Sequence, residues 1–161
     1  MTKFLLAVHV IAAILAIGPV AVAASMFPPA ARRALAAGPA GTDGPGAAGP
    51  DDSDATGTLR LLHRICQVYA VVGVVVPVFG FATAGQMGVL GSAWLIVSIA
   101  LTALAALVLA ALVLPAQTAF VEGTAGPGLT ARLAMSTGVF NLLWAAVTVL
   151  MIVRPGSTTG A

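Results

Sequence analysis

The stretch FLLAVHVIAAILAIGPVAVAA, from Phe4 to Ala24, is the first of four apolar runs of similar length. About 20 consecutive apolar residues are enough for a helix to cross the hydrocarbon core of a bilayer. The other runs cover residues 65–84, 93–114 and 133–153. The short turn GQMGVLGS joins the second and third runs, which makes them antiparallel neighbours. We therefore predict an all-α fold, a polytopic membrane protein built as an antiparallel four-helix transmembrane bundle.

Composition excludes a water-soluble domain and a nucleic-acid surface. Of the 161 residues, 60% are hydrophobic and 7% are charged, whereas soluble domains carry roughly 25% charged residues. The basic residues lie at the ends of the apolar runs, with at most two adjacent, and this is not the clustering that binds nucleic acid. The predicted partners are the lipid bilayer and another membrane protein or a second copy of the chain.

We predict a single membrane domain over residues 1–161, with helices at about 4–24, 58–84, 93–114 and 132–153. The stretch 38–57 is rich in Gly, Pro and Asp, a composition that cannot form a core, and it is predicted to be a disordered loop. Pro77 is expected to bend the second helix, and Pro115 is expected to end the third.

The first run also has features of a signal peptide, namely a short basic start and the small residues Ala21-Val22-Ala23. Its length, and the pair Arg32-Arg33 that follows it, favour a retained helix; cleavage stays an alternative. An N-out and C-out orientation places five arginines inside and leaves only Lys3 and Arg154 outside. Because Arg outnumbers Lys six to one and Ala, Gly, Val and Pro dominate the composition, we expect a bacterial inner (cytoplasmic) membrane protein of a GC-rich genome.

Few polar residues lie within the runs. At 1.5 Å per residue, His9 lies roughly 7 or 8 Å below the outer edge of the hydrocarbon core. Its helix face carries Ala12, Ala13 and Ala16, and small residues mark helix contacts, so His9 is predicted to point into the bundle. The predicted intramembrane polar cluster consists of His9, Ser98, Thr148 and, deeper, Asn141.

This cluster contains no carboxylate, lysine or arginine, so no catalytic residues and no metal site are predicted from it. His63 precedes the second run, and the two histidines are expected to be ~20 Å apart along the membrane normal. One haem iron cannot bind both imidazoles at that separation. His9 alone stays a candidate ligand for haem b or copper, because ionisable residues inside a membrane are often functional.

The segments LLAVHVIAAILAIG, LRLLHRI, GSAWLIVSIAL and LMIVRPG together resemble a family of small bacterial integral membrane proteins. It is known as domain of unknown function twenty-two sixty-nine. The resemblance implies a four-helix membrane bundle without an established activity. That family is distantly similar to the copper-resistance protein D family and to haem-binding membrane proteins of late porphyrin synthesis. By that similarity, His9 occupies the position of a candidate metal or haem ligand. Where such relatives often carry a Trp and a Gly-Gly pair, this chain has Ala16-Ile17-Gly18-Pro19.

The sequence thus predicts a non-enzymatic integral membrane protein that acts as a structural or accessory membrane subunit and carries no cofactor. One alternative is a haem- or copper-binding membrane protein that uses His9. A second alternative is a small-solute transporter with a path beside Asn141.

Overall fold

The computed structural model describes residues 2–37 and 50–156, and the regular structure in these ranges is helical. Four helical spans are long and apolar enough to cross a membrane, which confirms the predicted all-α four-helix architecture. The helices are α1 (Thr2–Ala37), α2 (Pro50–Gly73), α3 (Val75–Met87), α4 (Ala93–Val108), a π-helical turn (Leu109–Val113), α5 (Leu114–Val121) and α6 (Leu129–Val153).

The first span is longer than predicted. Helix α1 does not end near Ala24 but continues through Pro28 and Pro29 to Ala37. Each proline removes one backbone donor, yet the helix persists because Phe27 and Ala31, one turn apart, are fully buried in the bundle. Burial of this seam outweighs the loss of two hydrogen bonds.

The prediction of a disordered loop over residues 38–57 is also corrected at its C-terminal end. Residues 50–57 are helical, because α2 already begins at Pro50, and proline is well suited to the first turn of a helix. Residues 38–49 of that loop lie outside the described part of the chain.

The second span is divided, as expected from Pro77. Helix α2 ends at Gly73 and α3 begins at Val75. Pro77 has no N–H to donate to the carbonyl of Gly73, four residues earlier. At the break, the amide of Val74 instead donates to the carbonyl of Val71 at 3.1 Å, which is the tighter pattern of a 3₁₀ turn.

The prediction that Pro115 ends the third helix is wrong. The span runs from Ala93 to Val121 without interruption. The chain widens into one π-helical turn just before the proline, and the Leu114 amide donates to the carbonyl of Leu109, five residues earlier. The wider turn accommodates the proline ring and its lack of a backbone N–H. The helix therefore continues as α5, which adds two further turns to the span.

The fourth span, α6, is tied to α4 at its C-terminus. The helix ends at Val153, and the next residue, Arg154, adopts a left-handed conformation with φ 45°. The Arg154 guanidinium lies 5.7 Å from the centroid of the Trp94 ring, within the range of a cation–π contact. The Trp94 side chain is buried in the bundle.

Helix α1 is the central element of the bundle. It packs against α2, α3 and α6, while α6 packs against α4 and the π turn, and α5 packs against α2. The main core lies in the half that contains the C-terminal part of α1, α2, α5 and the start of α6. That end carries Arg32, Arg33, Arg60, Arg64 and Arg132, and we call it the arginine-rich end.

Candidate functional site

His9 lies against α3, near the end of the bundle opposite to the arginine-rich end. Its Nδ1 is 3.0 Å from the carbonyl oxygen of Val76. A carbonyl only accepts, so Nδ1 carries the proton and donates, and Nε2 of a neutral ring is left unprotonated. Gly80 lies beneath the ring, because a Cβ built there would be 3.0 Å from His9 Cε1. A larger residue at this position would therefore push the imidazole away from α3.

The other members of the predicted polar cluster do not join His9. Ser98 donates to the Trp94 carbonyl at 2.8 Å, and Thr148 donates to the Trp144 carbonyl at 2.9 Å from the exposed side of α6. Hydroxyls on helices often bond to the carbonyl four residues earlier, so these two hydroxyls are satisfied within their own helices. Asn141 bonds to α1 instead, donating from Nδ2 to Ser25 Oγ at 3.0 Å.

A second polar cluster, which we call the His63 network, joins α2 to α5 and was not predicted. His63 Nδ1 lies 3.1 Å from Gln117 Oε1, and His63 Nε2 lies 3.4 Å from Thr118 Oγ1. Gln117 Nε2 donates to Cys66 Sγ at 3.5 Å. Gln117 and Cys66 are both fully buried, so their polar atoms depend on these contacts.

The expected end of the third helix at Pro115 is the reason why the sequence does not predict this network. Gln117 and Thr118 follow Pro115, and a helix that ended at the proline would have left them outside the bundle. The continuation of the helix as α5 brings both side chains opposite His63. The spacing of His63 and Cys66, three residues apart on one helix face, was the remaining clue.

The His63 network contains one hydrogen bond that depends on protonation. The Thr118 hydroxyl lies 3.0 Å from the Leu114 carbonyl and 3.4 Å from His63 Nε2. A hydroxyl has one proton and cannot donate to both acceptors. If it donates to Leu114, the contact with Nε2 is a hydrogen bond only when that nitrogen carries a proton.

The two histidines belong to different levels of the bundle. His9 is level with Val76, and His63 precedes Val76 by between three and four helical turns, which corresponds to about 20 Å at 1.5 Å per residue. Among the described residues, no group of three or more His, Cys, Asp or Glu side chains could hold a metal ion.

A cleft of about 370 Å³ opens between α1 and α6 near the arginine-rich end. Its lining consists of Ser25, Pro28, Pro29, Arg32, Ala134, Thr137, Gly138 and Asn141. Thr137 is only 3% exposed, yet its hydroxyl has no hydrogen-bond partner within the described residues, and the same holds for Asn141 Oδ1. Buried polar atoms normally have a hydrogen-bond partner, so two polar atoms beside the cleft lack the partners that would be expected.

Comparison with protein-family models, with curated proteins and with solved structures returned no match. The resemblance to the family of small bacterial membrane proteins therefore stays a prediction from the four sequence segments. The functional argument depends on the geometry of the bundle.

Proposed function

We propose that this chain is a non-enzymatic integral membrane protein, a structural or accessory subunit that works by packing in the bilayer. The support comes from how its intramembrane polar side chains are used. They connect helices to one another: His9 joins α1 to α3, His63 joins α2 to α5, and Asn141 joins α1 to α6.

The observation that carries this proposal is the position of these three contacts. Together they connect all four spans, and each pairs a donor on one span with an acceptor on another. Hydrogen bonds between helices stabilise membrane bundles because lipid offers no alternative partners. Side chains used in this way act as structural contacts, and we infer that the outer faces of the spans carry the function by binding another membrane protein or a second copy.

The decisive experiment is to purify the chain at its natural expression level in a mild detergent and measure the mass of the protein in the particle. We expect a stoichiometric assembly larger than one chain, colourless and without bound metal. A monomer that carries a chromophore would overturn the proposal.

A second candidate function, haem or copper binding by His9, is favoured by one observation. Metal-binding histidines usually donate their other ring N–H to a carbonyl or carboxylate, and His9 Nδ1 makes such a bond to Val76. Its Nε2 makes no hydrogen bond within the described residues. This candidate predicts a Soret band or bound copper in protein purified from haem- and copper-replete cells.

The test of this candidate uses His9→Gln, since glutamine keeps an N–H donor for Val76 but is a poor haem ligand. We expect His9→Gln to lose the cofactor and His63→Gln to keep it. A colourless, metal-free wild-type preparation would contradict the candidate.

We further propose a bacterial inner-membrane location with both termini outside. The support is the asymmetry of basic residues, since five of the seven belong to the arginine-rich end, and short cytoplasmic flanks are enriched in Lys and Arg.

A further inference from the structure

We propose that the cleft between α1 and α6 binds a phospholipid from the leaflet at the arginine-rich end. The lipid phosphate would lie at Arg32, and the glycerol ester carbonyls would accept from the hydroxyls of Thr137 and Ser25. The inference is independent of the accessory role proposed above, because either can fail alone.

The first argument is the behaviour of Thr137. Six other hydroxyls in these helices donate to the carbonyl four residues earlier, namely Thr83, Ser98, Thr102, Thr118, Ser136 and Thr148. Thr137 is a lining residue of the cleft, and its hydroxyl makes no such bond within the described residues. The Leu133 carbonyl, four residues earlier, accepts from Ser136 Oγ at 3.3 Å instead. A buried donor without a partner lowers the stability of the fold, so an acceptor on a bound molecule would restore the missing hydrogen bond.

The second argument is the state of Ser25. Its Oγ accepts from Asn141 Nδ2 at 3.0 Å, and its own proton is donated to no acceptor in the described part of the chain. Ser25 also lies four residues before Pro29, which has no N–H. The Ser25 carbonyl is therefore left without its helical donor, and no regular helix bond competes for the space beside it.

The third argument is the order of the groups along the membrane normal. Arg32 is two turns beyond Ser25 on α1, about 10 Å closer to the end of the helix. Thr137 lies between these levels, on α6 one turn from Asn141. In a phospholipid the phosphate is outermost, the ester carbonyls come next and the acyl chains are deepest. The cleft presents a cation and then neutral hydroxyl donors in that same order.

Charge and shape both suit an anionic lipid. Arg32 is exposed and forms no ion pair within the described residues, so its guanidinium is free to bind a phosphate bidentately. Arg33 and Arg132 lie at the same end and add positive potential. The remaining lining residues, Pro28, Pro29, Ala134 and Gly138, are apolar and short, and they leave a smooth wall for an acyl chain.

The test is native mass spectrometry of the full chain, released from detergent with added phosphatidylglycerol or phosphatidylcholine. We expect tighter binding of phosphatidylglycerol. Arg32→Gln should weaken it about ten-fold, because a charge-assisted hydrogen bond is lost. Arg33→Gln removes the same charge from a residue outside the cleft and should change binding less than two-fold.

A second pair of variants separates binding from folding. Thr137→Val keeps the side-chain volume and removes the unpartnered hydroxyl, so it should weaken lipid binding about five-fold while leaving the lipid-free melting temperature unchanged or higher. Thr148→Val, on the same helix, should leave lipid binding unchanged.

Three results would overturn the proposal. They are equal lipid binding by Arg32→Gln and Arg33→Gln, no binding of phosphatidylglycerol at all, and equally tight binding of soluble glycerol phosphate or inorganic phosphate. The last result would assign the cleft to a soluble solute, as a transporter requires, because acyl chains would then contribute nothing.

Discussion

Gly80 controls the environment of His9. The imidazole ring lies so close to α3 that a β-carbon at Gly80 would be 3.0 Å from Cε1, and its Nδ1 bonds to the Val76 carbonyl on the same helix. A glycine in a helix normally lowers stability, because it loses more backbone entropy than alanine on folding. Here that cost is offset by the contact that Gly80 on α3 makes with His9 on α1.

Gly80→Ala should therefore destabilise the protein. The new β-carbon would lie 3.0 Å from His9 Cε1, so the ring must move and its bond to Val76 weakens, which costs about 1–3 kcal/mol. Gly85→Ala is the matched control on the same helix, since nothing lies within 4 Å of its β-carbon. It should be neutral or stabilising by up to about 1 kcal/mol. Thermal unfolding in detergent measures both, and equal melting temperatures would refute the contact.

His63 and Gln117 form a pair whose value depends on both members. Gln117 is fully buried, so removing only its histidine partner leaves Oε1 without a donor in an apolar environment. Removing both partners together leaves no orphaned carbonyl oxygen behind. For such a pair, the double substitution should lower the free energy of unfolding by less than the two single substitutions added together.

We predict that His63→Leu lowers the free energy of unfolding by about 1–3 kcal/mol, and that Gln117→Leu does so to a similar extent. The double variant should be less destabilised than the sum of the two. A thermodynamic cycle from denaturant titrations in detergent measures this coupling. Additive effects within about 0.5 kcal/mol would show that the two side chains act independently.

At the scale of helices, the prolines have different consequences because their surroundings differ. Pro28 and Pro29 lie inside α1 without ending it, Pro77 follows a break, and Pro115 follows a π turn. The proline effect on its own helix is always the loss of one donor and a steric clash. Whether the helix bends, breaks or widens is decided by what its faces bury.

Pro77→Ala should restore the missing amide opposite the Gly73 carbonyl and join α2 to α3. We expect hydrogen exchange of the backbone around residues 73–77 to slow by about five-fold or more, as one extra hydrogen bond implies. Pro155→Ala, just beyond the end of α6, serves as the control and should leave that exchange unchanged. If Pro77→Ala also leaves it unchanged, tertiary packing rather than proline maintains the break.

At the scale of the whole molecule, the two ends of the bundle differ in charge and in packing. The arginine-rich end holds the main core, the His63 network and the cleft, whereas the His9 end contains a smaller buried cluster around Ala84, Trp94 and Leu95. Positive charge near short loops orients a membrane protein with that end in the cytoplasm.

The proposed orientation, with both termini outside, predicts the accessibility of the loops. In a Cys66→Ser background, Leu90→Cys in the turn between α3 and α4 should react with an impermeant maleimide added to spheroplasts. Thr124→Cys, in the loop between α5 and α6, should react only after the membrane is permeabilised. The reverse pattern would invert the topology and place the lipid cleft in the outer leaflet.

The number of spans, their approximate positions and the all-α class follow from the sequence alone. A bilayer leaves no water for unpaired backbone groups, so each apolar run of sufficient length must become a helix. That constraint is local, and it does not depend on which helices meet. It explains why four runs of apolar residues were enough to predict the architecture.

Tertiary structure decides that the helices continue across Pro28, Pro29 and Pro115. It also decides which partners the polar side chains bond to. Ser98 and Thr148 were placed beside His9 by depth, but a hydroxyl satisfied by its own helix has no need of a distant partner. Gln117 reaches His63, and Thr137 lines the cleft, only because of how α5 and α6 pack against their neighbours. Such pairings depend on which helix faces meet, and residues more than fifty positions apart in the chain carry no local signal of that.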